Sequence, residues 1–203
     1  MVKINQSREF RKLHRNIAPI LFIPLLLSAL TGIAYRLGRS WFGMPRDIGE
    51  IFLAIHQGTF LGKPLEPVYV SLVGLGLVGL VITGFGMIRK SKQSRSNKAE
   101  SKLTVRTIHS IVAPIIFLPL LASAVTGIAY RVGESWLGLP EEQIELLMTI
   151  HQGSYFGSFG KSIYVFLVGL GLIAMLFTGI SMTGIFRKRR SPVPESEQDE
   201  KLI

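Results

Sequence analysis

The sequence predicts an all-α membrane protein: a four-transmembrane-helix bundle built from two parallel two-helix repeats, with short interfacial helices on the extracytoplasmic side. Three observations predict it. Four apolar stretches are each long enough for the roughly 20 residues that a helix needs to cross a bilayer. The chain aligns with itself at an offset of 95 residues, Arg11–Met87 on Arg106–Met182, without a gap and with about half the positions identical. The basic residues fall in blocks at Lys3–Arg15, Arg89–Arg106 and Arg187–Arg190, the positive-inside pattern that keeps one set of helix ends cytoplasmic.

Composition narrows the function. The 203 residues are 48% hydrophobic and only 18% charged, with a mean hydropathy of +0.39. The net charge of +10 would suit nucleic acid, but its clustering beside apolar segments assigns it to topology, and no nucleic-acid partner is expected. There is no cysteine, which excludes disulfides, iron–sulfur ligation, covalent c-type haem and thiolate chemistry.

Residues 1–10 read as a polar lead-in, 11–90 as the first repeat, 91–105 as a basic cytoplasmic linker, 106–188 as the second repeat and 189–203 as a disordered tail with two prolines and mixed charge. The first span is expected at about Asn16–Leu37, with Pro19 in its first turn and Pro24 deep enough to kink it. It is too long for a signal peptide, and its copy lies mid-chain. Tyr35 and Trp41 mark the far interface. Asp47–His56 has helical spacing and is closed by Gly58 and Gly62. The second span is expected at Val68–Ile88, the third at Ile111–Val132 and the fourth at Ile163–Ile185. Both repeats begin and end on the basic side, which predicts cytoplasmic termini and a pseudo-two-fold axis along the membrane normal.

The four histidines form two repeat-related pairs, His14/His109 at the basic side and His56/His151 after the interfacial helices. A helix from His14 to Leu37 rises roughly 35 Å, so His14 and His56 are expected at opposite membrane faces. Each pair is expected to meet across the axis. Neutral imidazoles from two sides suit the axial positions of haem iron, which predicts two haem b groups, one near each face, with His14, His109, His56 and His151 as metal ligands. Solvated interfacial histidines and a bare zinc or copper site are the competing readings; no carboxylate or thiolate cluster accompanies the histidines. Arg11 and Arg106 lie one helical turn before His14 and His109. Arg36 and Arg131 lie on the side of His56 and His151, against the positive-inside pattern. All four are candidate partners for haem carboxylates, with topology or interface anchoring as the alternative. The repeated Thr-Gly pairs read as small-residue packing between helices, or as room for a porphyrin.

The stretches LHRNIAPILFIPLLLSALTGI and HQGTFLGKPLEPVYVSLVGLGLVGLVITG, with their copies IHSIVAPIIFLPLLASAVTGI and HQGSYFGSFGKSIYVFLVGLGLIAMLFTG, resemble the helices of the PepSY-associated transmembrane family. The resemblance implies b-type haem held by His14, His56, His109 and His151, in a family that includes inner-membrane reductases, some acting on ferric siderophores. Larger members carry a periplasmic PepSY domain. Here the connections are about thirty residues long, too short for one, so a siderophore-reducing role is not expected.

These readings converge on a b-type dihaem membrane cytochrome, possible as a transmembrane electron-transfer oxidoreductase. Lipid surrounds it, and its redox partners are proteins or a quinone. A bacterial inner or thylakoid-type membrane is the expected location. The alternative is a non-redox membrane subunit or assembly factor of a larger complex. A metal transporter would want polar residues mid-span, and the spans offer almost none.

Overall fold

A computed structural model describes residues 6–92 and 104–183, all helix or short connection, with no strand among the described residues. The polar tail and most of the basic linker lie outside them. Six α-helices follow in order: α1 Gln6–Trp41, α2 Arg46–Gln57, α3 Glu66–Lys92, α4 Val105–Ser135, α5 Glu141–Gln152 and α6 Gly157–Thr183. The second three repeat the first three in kind and order, each half carrying a 3-10 turn before its last helix.

Four helices, α1, α3, α4 and α6, are long and apolar enough to cross a membrane. Their outward faces are strongly apolar: Ile20 and Ile115 are 74% and 73% exposed, an arrangement stable in lipid and costly in water. The helices are longer than the apolar runs predict. Helix α1 begins at Gln6, inside the expected polar lead-in, where Glu9 complements the N-terminal dipole. It runs through Pro19 and Pro24 without interruption. Helix α4 starts at Val105, capped by Thr104, whose side chain accepts from the Thr107 N–H at 3.3 Å.

The four spans form a ring in which α1 touches α3 and α6, and α4 touches α3 and α6. Helices α1 and α4 therefore stand diagonally. With lipid outside, close van der Waals fit replaces the hydrophobic drive. A Cβ on Gly74 would lie 2.6 Å from Ile128, and one on Gly169 the same distance from Ile33, so only glycine permits these α3–α4 and α1–α6 approaches. Leu25, Ala29, Leu120, Ala124, Leu77 and Leu172 belong to the buried centre. Two aromatic contacts tie α1 to α6 and α3 to α4, Phe22 on Phe177 at 5.6 Å and Phe85 on Phe117 at 4.4 Å.

Helix α2 packs along α1, and α5 along α4. Each ends at a glycine in the left-handed region, Gly58 (φ 75°) and Gly153 (φ 68°), followed by the 3-10 turn. A side chain there would be strained, and its Cβ would strike Tyr69 or Tyr164. This turn sends the chain into α3 and α6 and leaves the preceding histidine aimed at the bundle.

Candidate functional site: a histidine-lined cavity and a second histidine pair

His56 closes α2 and His151 closes α5. The imidazoles lie with ring centres 6.3 Å apart and planes at 67°. They project into a cavity of about 410 Å³, within the usual range for a bound small molecule or cofactor. His56 Nδ1 donates to the Ser28 carbonyl at 2.8 Å, and His151 Nδ1 donates to the Ser123 carbonyl at 2.8 Å. A carbonyl can only accept, so the proton sits on Nδ1 in both rings. Nε2 is left with its lone pair, the form that binds a metal. Burial holds His56 below its usual range, with the Ser28 hydrogen bond opposing. Burial and the His56 charge bring His151 down to about 4, again against a backbone hydrogen bond. Both are neutral at pH 7.

Glycine makes the close fit possible. A Cβ on Gly32 would lie 3.1 Å from His56 Cε1, and one on Gly127 the same distance from His151 Cε1. The Thr-Gly pairs thus have a role beyond helix packing: their glycines seat the imidazoles. Their threonines Thr31 and Thr126 turn inward to their own helix carbonyls at 2.6 Å.

His14 and His109 use the other two Thr-Gly pairs. His14 Nδ1 donates to Thr83 Oγ1 at 2.9 Å, and His109 Nδ1 donates to Thr178 Oγ1 at 2.8 Å. Each hydroxyl spends its only hydrogen on a helix carbonyl, Gly79 or Ala174, at 2.6 Å, and is left as an acceptor. The same tautomer results, with Nε2 free to accept or ligate. A Cβ on Gly84 or Gly179 would lie 3.5 Å from Cε1 of His14 or His109. Each of these imidazoles is held by the closing span of its own half, His14 by α3 and His109 by α6.

The depth of His56 differs from the sequence expectation. Its bond to Ser28 places it about 14 residues along α1 from His14, or about 21 Å at 1.5 Å per residue. Helix α2 runs back along α1, so His56 sits level with the middle of the span rather than beyond its end.

The arginines separate into two groups. Arg36 and Arg131 line the cavity, each guanidinium 5.9 and 5.8 Å from the ring centre of the preceding tyrosine. Arg36 donates to Gln152 Oε1 of the other half. Arg131 pairs with Glu66 at 2.8 Å and Glu134 at 2.7 Å. Arg11 and Arg106 are exposed, and neither lines the cavity. Thr83, Thr178, Gln152 and Glu66 were not among the sequence-derived candidates. The threonines were legible in the repeated Thr-Gly motif; the other two show only once the halves are packed together.

The residues present suit haem at the cavity. His56 and His151, with ring centres 6.3 Å apart, would each offer Nε2 to a metal held between the two halves. The paired Nδ1 donors, the glycine seats and the lining arginines complete the match. No group of three or more His, Asp or Glu gathers among the described residues, so a four-ligand zinc centre finds no donor set there. At His14 and His109 the fit rests on donor chemistry alone.

The fold and these paired histidines define a small polytopic α-helical membrane protein with ligand-competent imidazoles inside its bundle. The family model described as the PepSY-associated TM region matches residues 37–144, and the chain belongs to that family. The match runs from the end of α1 to the start of α5 and includes His56 and His109. No curated protein and no solved structure matches the chain. It is a multi-pass membrane protein.

Proposed function

We propose that this protein is a b-type dihaem cytochrome that relays electrons across its membrane. The donor is a quinol or a reductant on the cytoplasmic side, and the acceptor is extracytoplasmic. The observation that carries the reading is the meeting of His56 and His151 at one cavity, ring centres 6.3 Å apart, both rings held as Nδ1–H tautomers with Nε2 available. His14 and His109, in the same tautomer, are the candidate ligands at the basic side. Cytoplasmic termini follow from the basic blocks.

Haem iron, when bound, supplies reversible one-electron chemistry. The chain's own residues do the rest. Ser28 and Ser123 carbonyls orient the upper imidazoles and raise their basicity; Thr83 and Thr178 do the same for the lower pair. The buried leucines and alanines between the two levels keep water out of the bundle centre. The histidine levels lie about 20 Å apart along α1, so a cofactor at each level would place one toward the basic ends of the helices and one near the middle of the spans.

Oxidised and dithionite-reduced absorption spectra of the protein, purified in mild detergent from haem-replete cells, test the reading. A b-type difference signal with about two haems per chain is expected. Absence of any haem signal overturns it and leaves a non-redox subunit of a larger complex as the better description.

A further inference from the structure

The cavity wall is matched across the two halves almost residue for residue. Ser28 and Ser123, Gly32 and Gly127, Tyr35 and Tyr130, and the two histidines all stand 95 positions apart. Leu53 opposite Met148 is the one pair in the wall that differs in kind. The charges at the rim do not follow this symmetry. Glu66, at the start of α3, has Lys161 as its counterpart on α6, and Glu134 has Arg39.

The consequence falls on the two lining arginines. Arg131 is neutralised inside the protein: its Nη1 lies 2.8 Å from Glu66, and the two side chains are only 11% and 9% exposed. Glu134 adds a second carboxylate at 2.7 Å. Arg36 has a neutral amide, Gln152, as its partner. By the repeat, Lys161 takes toward Arg36 the place that Glu66 takes toward Arg131, at the rim and outside the cavity lining itself. Among the described residues no carboxylate forms an ion pair with Arg36 or Lys161. Two cations brought together at the edge of a low-dielectric cavity repel unless an anion joins them.

The geometry points to a carboxylate site at the α1–α6 side of the cavity, where Arg36 and Lys161 together bind the acidic edge of a tetrapyrrole and give a nearly symmetric cavity a single orientation for its occupant. This rests on the haem reading and adds to it a polarity. Of the four arginines that the sequence offers as carboxylate partners, only Arg36 and Arg131 line the cavity; Arg131 is already engaged by Glu66, so the anion-binding role there falls to Arg36, joined by Lys161. A planar guanidinium accepts a carboxylate through two parallel hydrogen bonds, and the ammonium adds a point charge.

The full-length chain carrying His14→Ala and His109→Ala, which leaves only the cavity histidines, is titrated in detergent with iron protoporphyrin and with its dimethyl ester. Soret absorbance reads the binding. The free acid is expected to bind at least about tenfold more tightly than the ester, the scale of one well-formed charged contact. Lys161→Glu, which offers Arg36 the kind of partner that Arg131 already has, should bring the two affinities within about twofold of each other and leave the ester's unchanged. Retained ester binding shows that the variant is folded. Lys161→Gln, the milder change, should narrow the preference by about threefold. Equal binding of acid and ester, or a preference that survives both substitutions, overturns the carboxylate site alone. Binding of neither compound overturns the haem reading and the carboxylate site with it.

Discussion

The two histidine pairs solve one problem in two ways. His56 and His151 are held by backbone carbonyls, at Ser28 and Ser123, inside a cavity. His14 and His109 are held by side-chain hydroxyls, at Thr83 and Thr178, toward the basic ends of α1 and α4. Both arrangements keep the proton on Nδ1 and leave Nε2 to ligate. A carbonyl belongs to the helix and survives any substitution of its residue, whereas a hydroxyl is lost with one. The upper pair is thus protected against mutation in its orientation and sensitive in its packing, since a Cβ on Gly32 or Gly127 would come within 3.1 Å of the imidazole. The lower pair has the reverse sensitivities, since a Cβ on Gly84 or Gly179 would meet the ring only at ordinary contact, 3.5 Å.

The strongest test of this contrast removes a proposed ligand outright. His56→Ala should lower haem content from about two per chain to about one, and His14→Ala should remove the other, because the levels are about 20 Å apart. Haem per chain, measured after denaturation, checks it; loss of both haems from either change would mean that the sites are not separate. Next in size is the loss of an orienting bond. Thr83→Val should weaken retention at the lower site by about 10–100-fold, the usual cost of removing a partner that orients a ligating histidine. Ser28→Ala keeps its carbonyl and should leave the upper site within about twofold; a loss there as large as Thr83→Val produces would break the distinction.

A smaller effect should come from the glycines. Gly32→Ala forces the His56 ring to give by a few tenths of an ångström and should weaken the upper site several-fold. Gly84→Ala meets ordinary contact and should change the lower site by less than about twofold. Off-rates for haem transfer to an apo-globin acceptor would separate the two. The smallest effect belongs to Arg11→Ala and Arg106→Ala. Both side chains are exposed, where a charged contact is worth little, so haem content should be unchanged within error. A large loss there would support the sequence expectation that they hold haem carboxylates.

Much of this was legible in the chain. Apolar runs located four spans because lipid demands them, and DIGEIFLAIH between Pro45 and Gly58 marked α2 by its periodicity. Helix ends were less legible: α1 and α4 run past their apolar windows because good helix formers continue a helix that packing has already started. The Thr-Gly pairs showed that something recurs, but either close helix contact or a ligand seat explains a small residue, and only the position of the imidazole tells them apart.

The sequence by itself determined the membrane class, the four spans and which residues have counterparts 95 positions away, since each follows from local composition or from comparing the chain with itself. It determined the chemistry on offer as well: four imidazoles, no thiols, and arginines on a side where topology does not ask for them. Only the tertiary structure decided that α2 folds back to set His56 level with Ser28, that every histidine carries its proton on Nδ1, and that Glu66 engages Arg131 while Arg36 meets the neutral Gln152. Those depend on groups distant in the chain coming within hydrogen-bond or ionic range, and the packing of one half of the bundle against the other is what brings them there.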